Sequence, residues 1–348
     1  MTQINIIGTI AGCSGYDIHT RSLANAINKI VPVRLMAGVP PGFEKMLNDR
    51  ELDMLKRQPS NEINLIITNP AVWELNFTAK RNWVFLIWEG SNIPKWVIEK
   101  CKDKRIEKIF VASNHTKDAI EDKEILSKVS VMPHGVNLDL FYSKNKPNKL
   151  TFLCNKGFRN LEDRGGIQYA IKAYMEEFGV ADDVEMIVKL NPAYGVPNLD
   201  IMMRDLISKT SNLPALRFDV MGYEYNALVN LYNSANVFVA PTRAEAFNIP
   251  CLEAQACGLP VITTNFGGQI DFCNNENGWL IDYELSEVKH ELMYEGVKWA
   301  TPNIDAIKKV MRECYENRAV VVTKGEKARE NARKWTWDNT AEKIAGLI

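Results

Sequence analysis

The chain has 348 residues, about twice the usual span of one domain, so two domains of about 150 to 200 residues each are expected. A hydrophobic share of 46%, a charged share of 24%, 20 Gly and 15 Pro exclude collagen-like, low-complexity and wholly disordered classes. The net charge of −1 supplies no whole-molecule field for a polyanion, so neither nucleic acid nor an anionic membrane is the expected partner, although a local basic site stays open.

In chain order, Ile4–Ile10 reads as a first strand. It makes a poor signal peptide, because no positive side chain precedes Arg21 and Asn5 and Gly8 break the apolar run. Further strands are predicted at Asn64–Thr68, Trp83–Ile87, Lys108–Ala112 and Val129–Met132, with helices near His19–Lys29, Pro94–Lys102 and Lys117–Glu121. The polar run Ser143–Lys149 has little to bury and reads as a linker over 144–149. A second series follows, with strands at Thr151–Cys154, Glu185–Leu190, Leu216–Val220, Val237–Ala240 and Val261–Thr264. Its helices are predicted at Gly166–Glu177, Leu199–Ser208, Glu224–Asn233 and Pro250–Cys257. Alternating strands and helices point to parallel α/β sheets. The expected organisation is an N-terminal domain over 1–143, a C-terminal domain over 150–326 and a helical tail over 327–348 that packs back on the first domain; a helix capping the second domain is the competing reading of that tail. Ligands of such sheets bind at the carboxyl ends of the strands.

Seven cysteines with no C-x-x-C pair argue against a disulfide framework or a structural zinc site and fit a reducing compartment. Apolar stretches such as Val84–Trp88 fall far short of the ~20 residues of a membrane span. A soluble, cytoplasmic protein is expected.

The most informative stretch is Pro241-Thr-Arg-Ala-Glu-Ala-Phe-Asn-Ile-Pro-Cys-Leu-Glu-Ala-Gln-Ala-Cys-Gly-Leu-Pro260, followed by Gly267-Gly268. A strand ends at Pro241, Pro250 suits the first turn of a helix and Gly258 its end. The start of that helix, with free N–H groups and a positive dipole end, favours a phosphate. Glu253 lies in its first turns and would repel a diphosphate it faced, so sugar hydroxyls, ribose above all, are its natural partners. Glu245 sits in the preceding loop and can reach another part of the same ligand. Spacing alone leaves both acids readable as solvated surface carboxylates.

This block resembles the retaining, nucleotide-sugar-dependent glycosyltransferases of family four, which have the GT-B fold and an E-x7-E signature matched here by Glu245 and Glu253. Pro241, Phe247, Pro250, Ala256-Cys-Gly-Leu-Pro-Val-Ile262 and Gly267-Gly268 carry the likeness further, and Val131-Met-Pro-His-Gly-Val-Asn137 is similar to the family's turn before the linker. Gly12 and Gly15, the segment from Arg159 to Gly166, Met221-Gly222-Tyr223 and the tryptophan-bearing tail follow in family order. The resemblance implies an α/β protein of two doubly wound, Rossmann-like domains facing across a cleft. The first would hold the acceptor (a glycan, a lipid or a small molecule) and the second the nucleotide sugar. It implies a retaining hexosyltransferase with no cofactor. The rival readings are a catalytically silent GT-B subunit or binding module and, more distantly, a sugar-nucleotide epimerase.

On this resemblance Glu245 contacts the donor sugar and Glu253 the ribose, while Arg159 and Arg164 stand where the family has its basic pair on the diphosphate. Lys156 is a rival for the first of those roles. Gly15, Gly222, Tyr223, Phe247, Asn248 and Ile249 complete the donor-binding candidates. The chain has no D-x-D pair, so no metal is expected and basic side chains must stabilise the leaving diphosphate. The family departs from this chain at two places. Arg164 replaces a lysine and can grip phosphate with two bonds. Where many members carry a cleft histidine, this chain reads Phe85-Leu-Ile-Trp-Glu89, which makes Glu89 a catalytic candidate beside its plainer reading as a helix cap near Pro94.

Other features carry less. The loop Gly8–Tyr16 lacks G-x-G-x-x-G, and no P-loop occurs, so a nicotinamide dehydrogenase or P-loop enzyme loses support. His134 could line the cleft, but it reads first, with His19, His115 and His290, as structural or solvated. Cys251 and Cys257 read as packing residues. The run Lys95–Lys108 alternates with acids and reads as a solvated face.

Overall fold

A computed structural model of the chain describes residues 2–157, 163–190 and 212–348. It divides into two compact units, residues 1–137 with 335–348, and residues 138–334.

In the first unit the strands are β1 (Ile4–Gly8), β2 (Val33–Met36), β3 (Ile63–Ile67), β4 (Arg81–Leu86), β5 (Ile106–Val111) and β6 (Val129–Val131). They form one parallel sheet in the order β2-β1-β3-β4-β5-β6. The central strands β1 and β3 are buried at every residue, as a parallel sheet covered on both faces requires. The edge strand β2 carries Arg34 and is half-exposed at alternate residues, and its short mixed pattern left it without a strand signal in the sequence. Helices α1 (Gly15–Ile27), α2 (Asp49–Lys56), α3 (Lys95–Cys101), α4 (Asn114–Asp118) and α5 (Lys123–Leu126) connect the strands. Helix α1 starts four residues before its expected position because Ser14 and Asp17 form a reciprocal capping box.

In the second unit, β7 (Leu150–Lys156), β8 (Val184–Leu190), β9 (Ala215–Asp219), β10 (Val237–Ala240), β11 (Val261–Thr264) and β12 (Gly278–Ile281) form a parallel sheet in the order β12-β11-β10-β7-β8-β9. Helices α6 (Ile167–Glu177), α7 (Leu228–Asn233) and α8 (Ile249–Ala256) follow β7, β9 and β10. The expected helix at Leu199–Ser208 lies outside the described residues. An antiparallel hairpin, β13 (Tyr283–Glu287) with β14 (Lys298–Pro302), and helices α9 (Ile304–Glu316) and α10 (Arg318–Ala332) complete the unit. Its core joins Phe152, Val188, Val239 and Ile262 of the sheet to Ile171 and Tyr174 of α6 and Ile307 and Met311 of α9.

Two boundaries differ from the sequence reading. The second unit begins at Leu138, not after residues 144–149, because Phe141 is buried against Tyr225 and Tyr232. Asn233 then ties down the supposed linker, accepting from Lys144 N at 2.7 Å and donating to Tyr142 O at 2.9 Å. The tail is two helices, not one. Residues 327–334 stay with the second unit, and α11 (Trp337–Ala345), capped by Thr336, belongs to the first. There Val136 N donates to Trp335 O at 3.0 Å and Thr340 Oγ1 to Pro133 O at 2.6 Å. Gly135 admits this contact, since a Cβ on it would lie 2.1 Å from Trp337 N. No helix among the described residues is long and apolar enough to cross a membrane.

Candidate functional site

In the second sheet the strand order reverses between β7 and β10, and the carboxyl ends of those two strands form the crevice where a doubly wound sheet takes a ligand. Lys156 is the last residue of β7. Its side chain is 5% exposed; Nζ lies 3.2 Å from Glu245 Oε1 and also donates to Asn248 Oδ1. Burying an ammonium is costly unless it is paired and hydrogen-bonded, and both conditions are met here. Glu245 is half-buried in the loop that follows β10.

Asn248 ends this loop in the left-handed conformation, φ 75°, and precedes α8, with Pro250 in the first turn. Its Nδ2 is buried and has no hydrogen-bond partner among the described residues. A buried amide donor beside a helix N-terminus is fitted to donate a hydrogen bond to an anionic ligand oxygen. Glycines bring the surrounding backbone close. A Cβ on Gly166 (φ 76°) would lie 2.0 Å from Pro241 O, and one on Gly268 would lie 2.0 Å from Ala246 O. Gly268 N donates to Glu245 O at 2.8 Å, which fixes the loop bearing the carboxylate.

Glu253 is 2% exposed. Its Oε1 accepts from Tyr225 at 2.6 Å and its Oε2 from Tyr232 at 2.7 Å. Burial raises its pKa above the ordinary carboxylate value, opposed by the two phenol hydrogen bonds and the Lys156 ammonium. Arg164 donates to Ala244 O at 3.3 Å, and its carbonyl accepts from Arg243 N at 2.9 Å, so it lies beside the Glu245 loop. Arg159 lies outside the described residues.

The remaining donor-binding candidates in this unit separate into two groups. Phe247 is buried against Phe272 at 4.9 Å and Ile249 is buried at the start of α8, so their side chains serve packing. Gly222 and Tyr223 follow β9. Among the described residues no atom lies within 4 Å of where a Cβ on Gly222 would be, while the Tyr223 hydroxyl donates to Asp219 at 2.5 Å and its ring lies 5.3 Å from Lys189 Nζ.

In the first unit Gly15 is exposed at the first turn of α1. Glu89 is 9% exposed in the loop after β4, ahead of Pro94 at the start of α3. That loop is held by Thr116 Oγ1 donating to Trp88 O at 2.7 Å and Trp88 Nε1 donating to Asn92 O at 2.9 Å. His19 and His134 are buried with ring centroids 4.2 Å apart, against Phe85 and Trp337, so His134 is a core residue of this unit. Cys257 is buried, which pushes its thiol up to about 12 and leaves it inert.

The whole chain superposes on a glycosyltransferase from Rickettsia africae with a TM-score of 0.73 at 18% identity, covering 99% of this chain and 97% of that one. HepE of Anabaena in complex with UDP-glucose gives a TM-score of 0.70 at 14% identity, covering 99% and 98%. The chain has the GT-B fold. In this GT-B chain residues 213–335 match the family of glycosyl transferases group 1. A probable sucrose-phosphate synthase of Thermosipho melanesiensis is 27% identical over 234 residues, 65% of this chain but only 48% of that protein, so the chain spans about half the length of this curated relative.

Sequence reasoning missed Tyr225, Tyr232 and Lys189. Each sits in an otherwise ordinary strand or helix pattern, and no local signal sets it apart.

Proposed function

We propose that this GT-B protein transfers a glycosyl unit from a nucleoside-diphosphate sugar to an acceptor hydroxyl, with retention of anomeric configuration and without a metal ion. The observation that carries the reading is the buried Lys156 ammonium shared by Glu245 and Asn248 at the start of α8, at the strand-order reversal of the second sheet. The UDP-glucose complex of the HepE neighbour supports a nucleotide sugar as donor.

In this reading Lys156, Arg164, Arg159 and the α8 N-terminus face the diphosphate. As the bond between the anomeric carbon and the phosphate oxygen breaks, negative charge grows on the leaving group, and fixed cations and N–H groups lower the barrier. The acceptor oxygen bonds to the same face of the anomeric carbon, and its proton passes to the departing phosphate oxygen. Glu245 accepts hydrogen bonds from the sugar, Glu253 from the ribose, and Glu89 contacts the sugar or the acceptor. A glycan, lipid or small molecule supplies the hydroxyl. The seven free cysteines suit a reducing, cytoplasmic setting.

A panel of UDP, GDP and ADP sugars, screened by thermal shift and then incubated with candidate acceptors, tests the reading. Nucleoside diphosphate should appear only when an acceptor is present, its rate unchanged by a chelator, and NMR of the product should show the donor's anomeric configuration. An inverted product would remove retention. Donor binding with no turnover on any acceptor would leave a silent binding subunit.

A further inference from the structure

Glu253 is held by two phenols of unequal burial. Tyr232 is wholly buried on α7, between Phe141 and Phe238 at centroid distances of 5.8 and 5.7 Å, and its oxygen also accepts from Asn155 Nδ2 at 3.3 Å. Tyr225 is only half-buried. It opens a single 3-10 turn, Tyr225–Ala227, that has no side-chain cap and follows the exposed Met221 and Gly222. A buried carboxylate needs its hydrogen bonds before a ligand binds as much as in the complex. Tyr225 meets that need at Oε1 with an O–H donor, the same kind of group that a sugar hydroxyl presents.

We infer that Tyr232 is the fixed positioning residue of Glu253 and that Tyr225 is a displaceable stand-in for a ribose hydroxyl, leaving Oε1 when a ribonucleoside diphosphate enters. This rests on the donor reading above. The exchange replaces one O–H donor by another at the same oxygen, so the carboxylate stays satisfied throughout and the buried charge is never exposed alone. A ligand without ribose hydroxyls cannot make the exchange. The pair of tyrosines therefore sets a preference for ribonucleotides, at the cost of affinity while Tyr225 is in place.

Calorimetric titration of UDP, GDP and ADP into the full chain tests this. For the nucleotide that binds, Tyr225→Phe should tighten binding about tenfold, because the competing hydroxyl no longer occupies Oε1. The gain should vanish with the 2′,3′-dideoxy form of the same nucleotide and in a Glu253→Gln background, as a double-mutant cycle requires of a coupled pair. Tyr232→Phe should raise KM for the donor about tenfold while kcat changes little, the mark of lost positioning in ground and transition state alike. Equal or weaker nucleotide binding by Tyr225→Phe, or a gain that persists in Glu253→Gln, overturns the inference while the donor reading stands. If no nucleotide binds either the wild type or Tyr225→Phe, both fall together.

Discussion

Acidification should loosen the first unit before it touches the second. His19 and His134 are both buried, and burial depresses their pKa values, His19 well below 6.5 and His134 to about 3. The repulsion of His134 adds to the effect at His19. Both rings are neutral in the folded chain but titrate near 6.5 once unfolded. Between those limits the unfolded state binds more protons, so stability falls as pH drops through 6.5. At pH 5.5 the loss for the pair is about 3 kcal/mol relative to pH 7.5. His115, depressed by burial, adds a contribution of the same sign. The carboxylates of Asp103, Glu107 and Asp122, whose pKa values are lowered by hydrogen bonds, act only at still lower pH. Urea unfolding followed by tryptophan emission at pH 7.5 and 5.5 should show a midpoint shift of about 1 M for an m-value near 3 kcal/mol/M. The double variant His19→Leu/His134→Leu should lose most of that shift. A wild-type midpoint that does not move, or an equal shift in the double variant, would refute the reasoning.

Other expectations follow from contacts already described. Lys156→Ala strips the ammonium from Glu245 and Asn248 and should cost about 3 kcal/mol of stability, as breaking a buried pair does; calorimetry should also show donor affinity weakened at least about tenfold. Gly135→Ala would set a Cβ 2.1 Å from Trp337 N and 2.3 Å from Thr336 C, so the tail should detach and trypsin should cut at Lys334 faster than in the wild type, with cleavage at sites before residue 333 unchanged. Gly166→Ala combines a left-handed φ of 76° with a Cβ 2.0 Å from Pro241 O, and thermal unfolding should register a loss of about 2 to 4 kcal/mol together with weaker nucleotide binding.

Much of the architecture was legible because buried parallel strands advertise themselves. Val237–Ala240 and Val261–Thr264 occur as read from the sequence, being buried on both faces and flanked by Pro and Gly. Helix α8 sits within a residue of its expected span because Pro250 and Gly258 are local punctuation. Where the local pattern was mixed, as in β2 with its Arg34, or where an element paired only with a partner in the hairpin β13–β14, no local signal existed to read.

The sequence by itself determined the α/β alternation, the GT-B resemblance, the placing of Glu245 in a loop and Glu253 in a helix, and the near-neutral charge that leaves anion binding to local groups. Only the tertiary structure decided what those groups touch. Lys156 meets Glu245 and Asn248 across 89 and 92 residues of chain, Tyr225 reaches Glu253 across 28, and Phe141 moves a boundary by burying itself among tyrosines far along the chain. Helix caps and strand periodicity are written within a few neighbouring residues. The pairing of buried charges is set by which strands lie side by side, and a sheet with order β12-β11-β10-β7-β8-β9 brings β7 and β10 together with no trace in either strand's own sequence.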